Sequence, residues 1–145
     1  MKKDNKNILE LEGCIKTIFG DIDLKKWEQK EHKNENEAFI YFSFHKNDNK
    51  LFYIGYVESP NRPTISDRIF KDSIKSGANR FKTKLLKEYN CCFDDTKIKK
   101  HILEKVDIYY IKILKPKNDD NNSLAKYKNQ LKKSIKEKRT IENSL

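Results

Sequence analysis

Phe39-Ile40-Tyr41-Phe42-Ser43-Phe44 and Leu51-Phe52-Tyr53-Ile54-Gly55-Tyr56-Val57, with the polar stretch His45-Lys46-Asn47-Asp48-Asn49-Lys50 between them, decide how this chain reads. Two runs of β-branched and aromatic residues around a short Asn- and Asp-containing segment form the pattern of an antiparallel hairpin, with its turn around Asp48-Asn49. Side chains alternate between the two faces of a strand. A hairpin centred on Asp48 therefore sets Tyr41 opposite Gly55 and Ser43 opposite Tyr53, with both phenols on one side of the sheet. Gly55 has no side chain and leaves open space opposite Tyr41. A helix start follows: Pro63, then Thr64 as N-cap with Asp67 three residues on, a short-armed form of the capping box. In that helix Ile65, Ile69 and Ile74 point inward, Gly77 is the stop, and Arg68 and Lys71 share a face. Two tyrosines and a guanidinium facing one hollow suit a scissile phosphate.

Outward from this stretch, Ile8, Leu11, Ile15 and Ile18 recur at helical spacing, with Phe19 beside them and Gly20 as the stop. Leu24 and Trp27 read as a second helical turn, and Glu28 to Glu37 as a charged linker. Residues 1–37 thus form a helical arm ahead of a domain spanning 38–145, and packing on the sheet is its simplest role. Phe81, Leu85, Leu86 and Tyr89 mark a further helix over 79–89. Ile98, Ile102 and Val106 mark another through Lys105. Asp107 to Leu114 is the densest apolar run and reads as a central strand, apolar on both faces. Ser123 caps a long final helix whose stripe is Leu124, Tyr127, Leu131, Ile135 and Leu145. Glu142 falls inside that stripe, a costly place for a carboxylate unless it is paired or bound to a cation. The fold class is α+β: a small, mainly antiparallel, three-stranded sheet flanked by helices.

The chain has 145 residues, the size of one domain, with 36% hydrophobic and 37% charged residues and a net charge of +10. The excess of lysine and arginine suits a polyanion, and nucleic acid is the first candidate. Solubility alone also accounts for such a balance. No apolar run approaches the ~20 residues that span a bilayer. No apolar signal region follows Met1-Lys2-Lys3, so the expected location is cytoplasmic, away from any membrane. Cys14, Cys91 and Cys92 have no disulfide-framework spacing and read as reduced thiols. With His101 they match no zinc pattern.

The two triplets Phe39-Ile40-Tyr41 and Tyr53-Ile54-Gly55, followed by Arg68 on the next helix, resemble the GIY-YIG nuclease family. That pattern is a triplet ending in Tyr, a Tyr-Ile-Gly triplet after a short interval, and an arginine beyond. The resemblance runs from about residue 38 to the end of the chain. Phe39 stands where the family has its first glycine. Asp72 stands where His or Tyr is common, which leaves the auxiliary acid–base role to Lys71. Ile141-Glu142-Asn143-Ser144-Leu145 looks like the segment carrying the family's last catalytic residue. The family pattern then continues through another helical turn and a Pro-x-x-Asn loop, so the chain is expected to be either truncated or a minimal form.

The resemblance implies metal-dependent hydrolysis of a phosphodiester in double-stranded DNA. In this reading Glu142 holds Mg²⁺ (or Mn²⁺) at the scissile phosphate, and Arg68 offsets charge on the phosphoryl oxygens. Tyr41 takes a proton from the attacking water or positions it, with Tyr53 in support. An ordinary phenol has a pKa near ~10, so Tyr41 needs cations close by, and Arg68, Lys71 and the metal are the candidates. Candidate DNA contacts are Gly55, Lys75, Arg80, Lys132, Lys136 and Arg139, the last three on the basic final helix. A core with only a short arm leans toward a restriction-type enzyme. The oligomeric state stays open, a homodimer included. Aromatic packing is the commoner fate of a sheet tyrosine. A non-catalytic nucleic-acid-binding module and a protein-interaction domain are therefore the rival readings.

Overall fold

The computed structural model describes residues 6–30, 36–57, 64–66, 69, 84, 87, 95–114 and 123–138. Among the described residues the elements are, in chain order, α1 (Lys6–Phe19), β1 (Lys25–Lys26), β2 (Glu37–His45), β3 (Leu51–Val57), α2 (Asp95–Lys105), β4 (Val106–Leu114) and α3 (Ser123–Lys138). The four strands form one sheet in the order β1-β4-β2-β3, and every pairing is antiparallel.

β2 is the middle of the molecule. It pairs with β3 on one side and with β4 on the other, and every residue after Glu37 is buried. Its alternating side chains feed two separate cores. Ala38, Ile40, Phe42 and Phe44 meet Ile54, Ile111 and Ile113, covered by Leu11, Cys14 and Ile15 of α1 and by Leu131 and Ile135 of α3. Phe39 and Tyr41 point the other way, toward Phe52, Val57, Ile108 and Trp27, covered by Ile102 of α2 and by Ile65 and Ile69. The result is three layers with the sheet between two coats of helix. The faces are called here the α1 face and the α2 face.

The hairpin forms where the apolar alternation requires it. Tyr41 pairs with Gly55 and Ser43 with Tyr53, the expected register. Nearer the turn the register slips, because Phe44 pairs with Leu51. Phe52 is the extra residue of a bulge, so Phe52 and Tyr53 both lie on the α2 face. His45 belongs to β2 rather than to the turn. It is buried, its ring stacks on Phe52 at 4.1 Å, and its N–H donates to the Lys50 carbonyl at 3.0 Å. Asn49 takes the left-handed conformation (φ 58°) that closes the turn, and its N–H donates to the His45 carbonyl. The Asp48 carboxylate accepts from the Lys50 N–H at 2.9 Å.

The 1–37 segment departs from a purely helical arm. α1 ends at Gly20 as expected: the residue sits at φ +82°, and its N–H donates to the Lys16 carbonyl. Leu24 to Trp27 is extended instead of helical. Leu24 packs into the α1-face core and Trp27 into the α2-face core, an alternation that a strand provides and a helical turn does not. Between them Lys25 and Lys26 pair with Tyr110 and Tyr109, so the sheet has four strands where three were expected. β4 is an inner strand as its composition suggested, yet Tyr109 and Tyr110 stay half-buried and Leu114 is exposed. The short β1 covers only part of it.

Of the stripes read in α1 and the final helix, the described part is as expected, while Phe81, Leu85, Leu86, Tyr89 and Leu145 lie outside the described residues. Leu11, Ile15, Leu131 and Ile135 are buried, and Phe19 meets Tyr127 with ring centroids 5.0 Å apart. Within the helices expected over 64–77 and 79–89, Ile65 and Ile69 are buried, Lys84 is half-buried and Lys87 exposed. Among the described residues no helix is long and apolar enough to cross a membrane.

One polar contact ties α1 to the hairpin. The buried Asn7 donates from Nδ2 to the Asn49 carbonyl at 2.6 Å. Asn7→Ala should lower stability by about 1–3 kcal/mol, the cost of leaving a part-buried acceptor unsatisfied, read as a reduced urea midpoint with an unchanged m-value.

Candidate active site

Register sets the geometry on the α2 face. Across the sheet, Lys25, Tyr110, Tyr41 and Gly55 lie in one row. In the next row Ile108, Ser43 and Tyr53 are aligned, and the Trp27 N–H donates to the Ile108 carbonyl at 2.8 Å. The two tyrosines of the triplets are neighbours, with ring centroids 6.0 Å apart and planes tilted by 40°.

The space above Gly55 is occupied rather than open. A Cβ at this position would lie 2.5 Å from Tyr41 Oη and 2.8 Å from Cε1. The Tyr41 ring lies across the glycine and fills the gap its missing side chain leaves. Tyr41 is accordingly 1% exposed, while Tyr53 is half-buried. The expected hollow between the two phenols is, at Tyr41, a packed contact.

Two further groups stand at this pair. Ser43, fully buried between Tyr41 and His45 on the same face of β2, has a hydroxyl with no hydrogen-bond partner among the described residues. A buried hydroxyl left unpaired is costly. Lys128 of α3 reaches the β3 border of the sheet, where its Nζ lies 5.6 Å from the Tyr53 ring centroid and 5.8 Å from that of Tyr56. An ammonium over an aromatic face is attracted by the ring quadrupole. Here it also brings positive charge to the Tyr53 side of the pair.

The sequence-derived candidates divide in three. Tyr41, Tyr53 and Gly55 come together. Lys132 and Lys136 lie on α3, whose buried stripe covers the α1 face, the opposite side of the sheet from Tyr41. Lys132 is half-buried and Lys136 exposed, and with Asn129, Lys133 and Glu137 they line a surface depression. They are not part of the tyrosine cluster. Arg68, Lys71, Lys75, Arg80, Arg139 and Glu142 lie outside the described residues. Ile65 and Ile69, on either side of Arg68 in sequence, are both buried in the core that holds Tyr41. Among the described residues no three His, Cys, Asp or Glu side chains converge as a metal site. Lys128 and Tyr110 were not among the candidates. Tyr110 became a neighbour of Tyr41 only through the β2–β4 register, and Lys128 reached Tyr53 only through packing of α3. Ser43 was legible in part, since alternation already put it on the Tyr41 face.

Comparison of the chain with protein-family models, with curated proteins and with solved structures finds no match in any of the three.

Gly55→Ala should cost about 1–3 kcal/mol, because the added methyl must displace a ring held in a packed core. Denaturant unfolding measures it, and the penalty should shrink in a Tyr41→Leu background. A second expectation concerns His101 on α2, whose Nε2 is buried. Burial, and then the nearby Lys105 charge, hold its pKa below the ordinary 6.5. The unfolded chain therefore binds this proton more readily than the folded one. Stability contributed by neutral His101 is present above pH 6.5 and is lost as pH falls from there through the lowered folded value. The urea midpoint should drop over that window, and His101→Gln should flatten the slope.

Proposed function

We propose that this chain is a metal-dependent endonuclease of restriction type that hydrolyses DNA phosphodiester bonds, built on a GIY-YIG-like core. The observation that carries the reading is the pairing of Tyr41 with Gly55, which puts both triplet tyrosines on one sheet face in ring contact. The four-stranded antiparallel sheet with helices on both faces is compatible with it, and the net charge of +10 suits a DNA partner.

In this reading water attacks phosphorus and one P–O ester bond breaks, leaving a 5′- or 3′-phosphate on one fragment and a hydroxyl on the other. Tyr41 takes the proton of the attacking water or positions it, and Tyr53 supports Tyr41. Lys128 brings an ammonium group over the Tyr53 ring, on the border of this cluster. Arg68 offsets charge gathering on the phosphoryl oxygens. Lys71 stands in for the missing auxiliary His or Tyr. Glu142 is the residue assigned to hold Mg²⁺ or Mn²⁺, which supplies Lewis-acid polarisation at the phosphate when bound. For the phenol to reach water, the Tyr41 ring must swing off Gly55.

That same burial favours one rival. With Tyr41 at 1% exposure, a non-catalytic nucleic-acid-binding module accounts for the ring as core packing. Nicking of supercoiled plasmid separates the two. The wild-type chain should nick in Mg²⁺ or Mn²⁺ and stop on addition of EDTA. Tyr41→Phe and Arg68→Ala should each reduce the rate by about 100-fold or more with the fold retained. DNA binding by the wild type without any cleavage would establish the binding module instead. Full-rate nicking by either variant would remove that residue from the mechanism.

A further inference from the structure

Near the β1 border, on the α1 face, two ammonium groups converge on one carboxylate oxygen. Lys26 Nζ lies 3.6 Å and Lys46 Nζ 4.0 Å from the same Oδ1 of Asp107. The Asp107 side chain is recessed, at 22% exposure, while those of Lys26 and Lys46 stand out at 52% and 44%. We propose that this cluster is a contact for the backbone of nucleic acid, in which one phosphate takes Lys26 and Lys46 over from Asp107.

Backbone contacts from three strands set the cluster. Lys26 is held by its pairing with Tyr109, and the next residue, Trp27, donates its N–H to the Ile108 carbonyl at 2.8 Å. Lys46 follows β2 directly, and its N–H donates to the Lys105 carbonyl at 3.0 Å. Asp107 is the β4 partner of Phe44. Both lysines therefore start from fixed backbone, and only their side chains need move. Charge selects the ligand. Two cations on one carboxylate leave an excess of one positive charge, in a chain that carries +10 overall. An ammonium has three N–H donors. A close charge-assisted hydrogen bond spans about 2.7–2.9 Å, so at 3.6 and 4.0 Å neither lysine makes one to Asp107. Ion pairs this exposed hold weakly in water. A phosphate approaching from solvent accepts from both ammonium groups at once, with its charge spread over oxygens that reach them more closely than the recessed Asp107 does. Lysine meets phosphate as a point charge and reads no base, so the contact adds affinity without sequence preference. Phe44 and Tyr109, the pairing partners of Asp107 and Lys26, belong to the α1-face core, so the contact lies across the sheet from Tyr41. The inference rests on the nucleic-acid part of the proposed function and is independent of cleavage.

The test is fluorescence anisotropy of a labelled DNA duplex with the full chain, over a range of about 50 to 200 mM salt and without divalent metal. Lys26→Ala and Lys46→Ala should each weaken binding, and the two together should lower the slope of log K against log salt by about one, the loss of one phosphate contact. Both side chains are exposed, so these truncations leave the fold intact. Lys16→Ala, at an exposed position on α1, should leave the slope unchanged. Asp107→Asn removes the competing carboxylate and should tighten binding about two- to fivefold. Glu12→Gln, exposed on α1, changes the net charge by the same amount and should do less. The gain from Asp107→Asn should vanish when both lysines are also truncated. An unchanged slope in the double lysine variant, or an equal gain from Asp107→Asn and Glu12→Gln, would overturn the contact. The two readings fail separately. A chain that nicks plasmid while its salt slope ignores Lys26 and Lys46 loses only this inference. A chain whose slope depends on them and which never nicks loses only the nuclease, and one that binds no duplex loses both.

Discussion

β2 has no face it can give to water. Its apolar side chains point both ways, so the chain must cover the sheet twice, and every other element takes its place from that demand. α1 and α3 close one side with Leu11, Ile15, Leu131 and Ile135, and α2 with Ile65 and Ile69 closes the other. A strand buried on both faces also fixes its own register, since a slip by one residue would exchange the two cores wholesale. Phe39, Tyr41 and Ser43 are therefore held on the α2 face with little freedom, and their neighbours across β3 and β4 follow from that alone.

Within this frame Tyr41 serves packing. The ring fills the notch above Gly55, a contact that only glycine permits, and it meets Tyr53 on the face that also carries Ser43. Among the described residues the Ser43 hydroxyl has no hydrogen-bond partner, where buried polar groups are ordinarily paired. The Lys128 ammonium arrives from α3, the helix of the opposite layer, by reaching around the β3 border. The candidate site thus draws on both helical coats, and α3 links its basic surface to the tyrosine pair through that one side chain.

The hairpin, its register at Tyr41 and Ser43, the α1 stripe with its Gly20 stop, and the buried stripe of α3 were all legible in the sequence. Each is written in local periodicity or in a residue with a single conformational use. What was not legible depends on partners far away in the chain. The bulge at Phe52 arises from how the turn closes at Asn49. β1 was hidden because two lysines carry no strand pattern, and only the opposed burial of Leu24 and Trp27 reveals the extended backbone. The filled space over Gly55 was missed because alternation gives the side a ring is on and not the direction in which it leans.

The brevity and composition of β1 have a consequence for how the molecule behaves in a crowd. A sheet border of bare amide groups invites a second chain to continue the ladder, the first step toward fibrils. Here that border is finished by Lys25 and Lys26, both exposed, with the Lys26 ammonium tethered 3.6 Å from the Asp107 carboxylate. Another copy approaching in parallel fashion would bring the same pair of ammonium groups against them. At this border of the sheet, two exposed lysines on a two-residue strand blunt the edge against a further copy.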